Sequence, residues 1–194
     1  ANTLFLNHGI EGTTMDEIAH GAGFSKTTLY TYFDSKQDIV DHLILDGMER
    51  FHQEVVKIVS RQAPFREFYH ELCQSLVAIH DSGIVYFPGI TGKIGCSEKE
   101  MKNNKVLTNI YMLGEEINHI IAGEISRAAA NKELQLNAPM ADVMMLFWLC
   151  LTGLVEKSAS KEAYILRLLE KDRKSFLNFA FDALLLMIEK GESR

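Results

Sequence analysis

The chain is predicted to be all-α, with a small N-terminal helical module followed by a larger helical bundle. Three observations point there. Apolar residues recur at helical spacing along nearly all of the 194 residues, only three prolines interrupt them, and no segment alternates strongly enough to read as a strand. Helix-capping signals at Thr14 and Ser25 agree with them.

The first helix carries Ala1, Leu4, Phe5 and His8 on one face and stops at Gly9. A second begins at Thr14, where Thr14-x-x-Glu17 is a capping box and Met15, Ile18, Ala19 and Ala22 form the apolar stripe. Gly21 and Gly23 end it. A third, about two turns long, starts at Ser25. Phe24 before the cap and Leu29 four positions after it read as a hydrophobic staple. A fourth runs from Ser35 through Ile39, Leu43, Met48 and Phe51 to near residue 60. Further helices are expected at 64–80, 99–131, 139–157 and 161–190, with Ser82 to Cys96 a Gly- and Pro-rich loop. The domain boundary is placed near Gly47, giving 1–47 and 48–194. The chain is in helical rhythm from Ala1, so a preceding segment is expected.

Composition narrows the class. Apolar residues make up 47% and charged residues 24%, as in a soluble globular protein. Cys73, Cys96 and Cys150 are odd in number and far apart, which suits a reducing cytoplasm better than a disulfide framework. The apolar run from Val143 to Val155 is too short for a bilayer, so no membrane role is expected. Net charge is −6. Within residues 1–50, Lys26, Lys36 and Arg50 stand against eight acids, a local balance of −5. That balance opposes nucleic-acid binding by the N-terminal part.

The segment Gly23 to Lys36 points the other way. Leu29 and Phe33 face inward, which leaves Thr27, Thr28, Tyr30 and Thr31 on the outer rim of the third helix. A short helix with exposed hydroxyls and methyls, preceded by a helix and a Gly-containing turn, is a helix-turn-helix arrangement. Threonine methyls can pack on thymine methyls, and hydroxyls can bond base edges or phosphates. Ser35-Lys36 brings free N–H groups and a positive charge to the start of the fourth helix, a seat for phosphate. From Ser25 to Phe33 there is no acid.

Leu4-Phe5, Gly9, Thr14, Asp16-Glu17-Ile18-Ala19, Ala22-Gly23-Phe24-Ser25, Leu29-Tyr30, Tyr32-Phe33 and Ser35-Lys36 together resemble the DNA-binding domain of TetR-family transcriptional repressors. The resemblance covers about a quarter of the chain. It implies a homodimeric regulator that binds a palindromic double-stranded operator and releases it when a small molecule binds. Its DNA-contacting positions fall on Thr14, Ser25, Lys26, Thr27, Thr28, Tyr30, Thr31, Tyr32 and Lys36. Lys26, Thr27, Thr28 and Thr31 fall where the family reads bases or nearby phosphates, and Tyr30, Tyr32 and Lys36 where it holds the backbone. Thr27 stands where the family often has Gly.

In the larger part, Met144 to Val155 is apolar all round, and Phe176, Phe179, Ala180, Ala183, Leu184 and Met187 form a stripe of small and large residues. The expected dimer interface is that stripe with Leu146, Cys150, Gly153 and Leu154. A pocket for a small apolar effector is expected among Phe51, Phe68, Cys73, Tyr86, Phe87, Tyr111, Met112, Glu116, His119, Met145 and Trp148.

Two alternatives stand beside this reading. Glu-x-x-His occurs at Glu17/His20, Glu49/His52, Glu67/His70 and Glu116/His119, a step found in carboxylate-bridged di-metal bundles and also in plain helix-surface pairs. A dimeric interaction module without DNA reading would fit the acidic balance. No nucleophile elbow, H-E-x-x-H or C-x-x-C is present, so no catalytic residues, cofactor or resident metal are expected.

Overall fold

The computed structural model describes residues 1–82, 104–136 and 138–188. Among these the chain forms nine helices and no strand. They are α1 Asn2–His8, α2 Met15–Gly21, α3 Lys26–Tyr32, α4 Lys36–Val59, α5 Phe65–Asp81, α6 Lys105–Ala130, α7 Met140–Ser160, α8 Glu162–Leu169 and α9 Arg173–Ile188. The expected loop from Ser82 to Cys96 lies outside the described residues apart from Ser82.

Two compact units form. The first comprises the described residues of Ala1–Phe51 and Asp81–Glu115, and the second those of His52–His80 and Glu116–Arg194. Sequence reasoning divides the chain once, near Gly47. Grouping segments distant in sequence is a tertiary event that local patterning does not carry.

In the first unit, Phe5, Ile18, Ala19, Leu29, Ile39, Val40 and Ile44 are buried. The buried Thr13 hydroxyl bonds the Gly9 carbonyl at 2.8 Å, closing the end of α1. Gly12 is required by space: a Cβ there would lie 2.2 Å from the His8 carbonyl oxygen. Gly23 is required by its φ of 73°, a left-handed conformation that turns the chain from α2 into α3.

In the second unit the Tyr69 ring packs on Phe147 with centroids 5.1 Å apart, and its hydroxyl donates to the Phe181 carbonyl at 2.9 Å. That bond satisfies the polar atom of a fully buried side chain. Burial drives the Tyr69 phenol far above its ordinary range and pushes the Cys73 thiol up to about 12. Glu133 accepts the Phe65 N–H at 2.6 Å and Arg127 donates to the Ala63 carbonyl at 2.9 Å. Together these fasten the start of α5 to the end of α6.

The helix expected over 161–190 is two helices. Glu170 adopts φ 52°, and Asp172 then accepts the Ser175 N–H at 2.7 Å to start α9. A left-handed Glu has no glycine to announce it, and the surrounding apolar spacing continues in step across the break.

Candidate nucleic-acid interface

The site is built from α2, the turn that follows it, and α3. Thr14 caps α2 with a reciprocal box. Its hydroxyl oxygen accepts the Glu17 N–H at 3.2 Å, and its own N–H donates to the Glu17 carboxylate at 2.8 Å. These bonds hold the Glu17 carboxyl below the ordinary carboxylate range. The Gly23 N–H then donates to the His20 carbonyl at 3.1 Å and the Phe24 N–H to the Ala19 carbonyl at 2.9 Å. Those two bonds set the entry to α3. Phe24, expected as a staple, is 59% exposed, so burying this side chain contributes little there.

α2 and α3 pack on each other. Ser25 caps α3 by accepting the Thr28 N–H at 3.0 Å, and the two hydroxyls lie 2.8 Å apart. Leu29 is buried, and Phe33 meets the His42 ring edge-on at 5.3 Å. With that face turned inward, Lys26, Thr27, Tyr30, Thr31 and Tyr32 stand exposed, Tyr32 at 73%. Of the α3 residues predicted to contact DNA, those five are exposed and Thr28 is half-buried.

Not every predicted contact group is free. The Thr31 hydroxyl donates to the Thr27 carbonyl at 3.1 Å, and the Thr14 and Ser25 oxygens serve as caps. Lys26 pairs with Asp16 at 2.7 Å, which raises the lysine's pKa. Lys36, expected at a phosphate, donates to the Thr13 carbonyl at 3.0 Å and the Glu11 carbonyl at 3.4 Å. Ser35 caps α4 by accepting the Asp38 N–H at 3.1 Å.

The predicted pocket residues are not brought to one kind of environment. Phe51, Phe68 and Cys73 are buried, Tyr111 and Trp148 are half-buried, and Met112, Glu116, His119 and Met145 are exposed. Tyr86 and Phe87 lie outside the described residues. The Trp148 indole donates to Asn118 at 2.8 Å, tying α7 to α6.

The predicted interface residues divide similarly. Ala180 is buried inside the unit, whereas Cys150, Gly153, Leu154, Phe176 and Leu184 are half-buried and Leu146, Phe179, Ala183 and Met187 are exposed. α7 and α9 pack together, with Val143, Phe147, Leu151 and Val155 of α7 and Leu177, Phe181 and Leu185 of α9 buried. α7 is apolar all round yet buried on one side only: Met145, Leu146 and Leu149 stand outside. Further along α7 a groove of about 410 Å³ is lined by Gly153, Leu154, Ile165, Leu168, Leu169 and Phe176, among others. Gly153 permits no close approach within the protomer, since a Cβ there would meet nothing within 4 Å.

The Glu-x-x-His steps are not internal pairs. Glu17 is taken by Thr14, His52 lies 3.1 Å from Glu116, and His70 lies 3.2 Å from Asp182. Among the described residues no group of three or more His, Cys, Asp or Glu is arranged to hold a metal. No described helix is long and apolar enough to cross a membrane.

A capped helix, a glycine turn and a second helix with an exposed face form a helix-turn-helix, in a chain that goes on into a helical bundle. The comparisons with known proteins agree with the geometry. Residues 1–43 match the family model of bacterial regulatory proteins, tetR family. The transcriptional repressor BepR of Brucella suis is 35% identical over 78 residues, which span 40% of this chain and 36% of BepR. The chain thus aligns with only about a third of that relative's length. In fold, the fatty acid degradation regulator FadR of Bacillus halodurans is similar at TM-score 0.72, 15% identity, covering 95% of this chain and 90% of that one. FadR of Bacillus subtilis, solved with stearoyl-CoA, is similar at TM-score 0.68, 16% identity, covering 97% and 96%. Family likeness in sequence thus lies in the N-terminal module, and the likeness over the rest of the chain is one of fold.

Proposed function

We propose that this protein is a ligand-responsive transcriptional repressor. It binds a palindromic operator as a homodimer and is released by a small apolar effector. The exposed outer face of α3, with Thr27, Tyr30, Thr31 and Tyr32 held out by the buried Leu29, is the observation that carries the reading. A face of methyls, hydroxyls and phenols suits base edges and phosphates of a major groove. Two-fold operators are read by two-fold proteins, with recognition helices about 34–36 Å apart. The apolar side chains of α7 and α9 left outside the protomer supply a surface for the second copy.

The switch follows from linkage. An effector lowers operator affinity only by preferring the non-binding state, and a hundredfold loss takes about 2.7 kcal/mol of coupling. A small apolar ligand in a largely preformed cavity can supply that. FadR of Bacillus subtilis, similar in fold, was solved with stearoyl-CoA, whose acyl chain supports an effector with an apolar part. Selection of bound sequences from random duplexes tests the reading. Enrichment of an inverted repeat is expected, and no enrichment contradicts it.

A further inference from the structure

We infer that Asp16 is a built-in competitor of the DNA backbone for Lys26, so that docking exchanges a carboxylate partner for a phosphate. The inference rests on the DNA reading proposed above. Lys26 Nζ lies 2.7 Å from Asp16 Oδ2, joining the first turn of α2 to the first residue of α3 across the turn between them. Both side chains are at least half exposed, at 50% and 65%. The pair is therefore open to an incoming anion. Exposed ion pairs of this kind are weak and screened by salt. A phosphate oxygen is an equally good partner for an ammonium.

The surrounding charges make Asp16 the acid that matters. The Glu17 carboxylate is committed to Thr14, and Lys36 is committed to the Thr13 and Glu11 carbonyls. Arg50 pairs with Asp46 at 2.9 Å. Each Lys and Arg of residues 1–50 already has a partner, and only Lys26 sits on α3 with an exposed carboxylate as its partner.

The consequence is a specific salt signature. A lysine that leaves a carboxylate for a phosphate changes the local charge little, because the freed Asp16 attracts a cation as the phosphate gives one up. Removing the carboxylate leaves Lys26 uncompensated, and docking then releases one more condensed counterion, which steepens the slope of log K against log salt by about 0.9. Since phosphate contacts carry no sequence information, the gain is the same on operator and non-operator duplex.

The test compares the full chain with Asp16→Asn, each alone and combined with Lys26→Ala. Fluorescence anisotropy is measured on a selected duplex and a scrambled one, from about 50 to about 200 mM salt. Asp16→Asn should bind both duplexes about two- to fivefold more tightly at the low-salt end, the range that an exposed ion pair spans. Its salt slope should steepen, and adding Lys26→Ala should abolish both effects. Thermal melting confirms that each variant folds, and Asp16→Ser serves in place of an unfolded Asp16→Asn. Unchanged or weaker binding by the folded variants, on a duplex the unaltered chain binds, overturns the inference and leaves the DNA reading intact. An unaltered chain and variants that all fail to bind either duplex contradict the DNA reading itself, and the inference with it.

Discussion

The Lys36 ammonium lies 3.0 Å from the carbonyl oxygen of Thr13, so the first residue of α4 holds the turn between α1 and α2. Its second bond, to the Glu11 carbonyl at 3.4 Å, strengthens that hold. Lys36 thus braces the turn that leads into α2, on which α3 packs. Lys36→Ala should cost about 1 kcal/mol of stability, the net worth of a partly solvated hydrogen bond. It should weaken binding by a similar factor on every operator variant, because no base edge is involved. Thermal unfolding and binding to an operator panel check this. An unchanged melting temperature would show that the clamp carries no stability.

Thr27 should behave differently. It is exposed on α3, whereas the Thr28 hydroxyl is already paired with Ser25. Thr27→Ala should leave stability within about 0.5 kcal/mol while changing the preferred base at one operator position. Selection repeated with the variant reads this directly. A uniform loss over all sequences would assign Thr27 to the backbone instead.

Ala183→Glu should yield a monomer. Ala183 is exposed in the protomer, so the variant's own fold tolerates the charge. Burying that charge unpaired against a second copy costs about 3–5 kcal/mol. Sedimentation equilibrium measures the mass, and an unaltered dimer would place the interface elsewhere.

Acid should unfold the protein through its capping carboxylates. Hydrogen bonds lower the pKa of Glu17, of Glu133 through the Phe65 N–H, and of Asp172 through Ser175. A carboxyl with a lowered folded pKa binds fewer protons folded than unfolded. Its stabilisation is complete above the ordinary carboxylate range, about pH 4, and is lost as pH falls through the lower folded value. Glu133→Gln should flatten the acid limb of the stability–pH curve and leave its neutral shape unchanged. Circular dichroism melts between about pH 2 and 7 test this, and an identical acid limb would contradict it.

Cys73 should resist alkylation in the folded chain. Burial pushes its thiol up to about 12, so almost no thiolate is present at neutral pH. Peptide mapping after iodoacetamide treatment should find Cys73 modified only in denaturant. Rapid labelling of the native protein would contradict its burial.

Much of the helix-turn-helix was legible because its determinants are local. Thr14 and Glu17 announce the capping box, and Ser25, Leu29 and Phe33 fix which face of α3 looks outward. The partners of the two lysines were not legible. Asp16 is ten residues from Lys26, and Thr13 lies twenty-three from Lys36, so only the folded chain brings them together. Residue type likewise hid the exposed side of α7, where Leu149 is 65% exposed and Leu151 is buried in an equally apolar sequence. The left-handed Glu170 left no mark, since the charged run around it also suits a solvated helix face.

Native mass spectrometry of the protein with a selected operator duplex tests the central claim most directly, that two copies of α3 read one site. Two chains per duplex, or an even multiple, is the result this account predicts. A complex carrying a single chain, or a duplex that remains free, would contradict it.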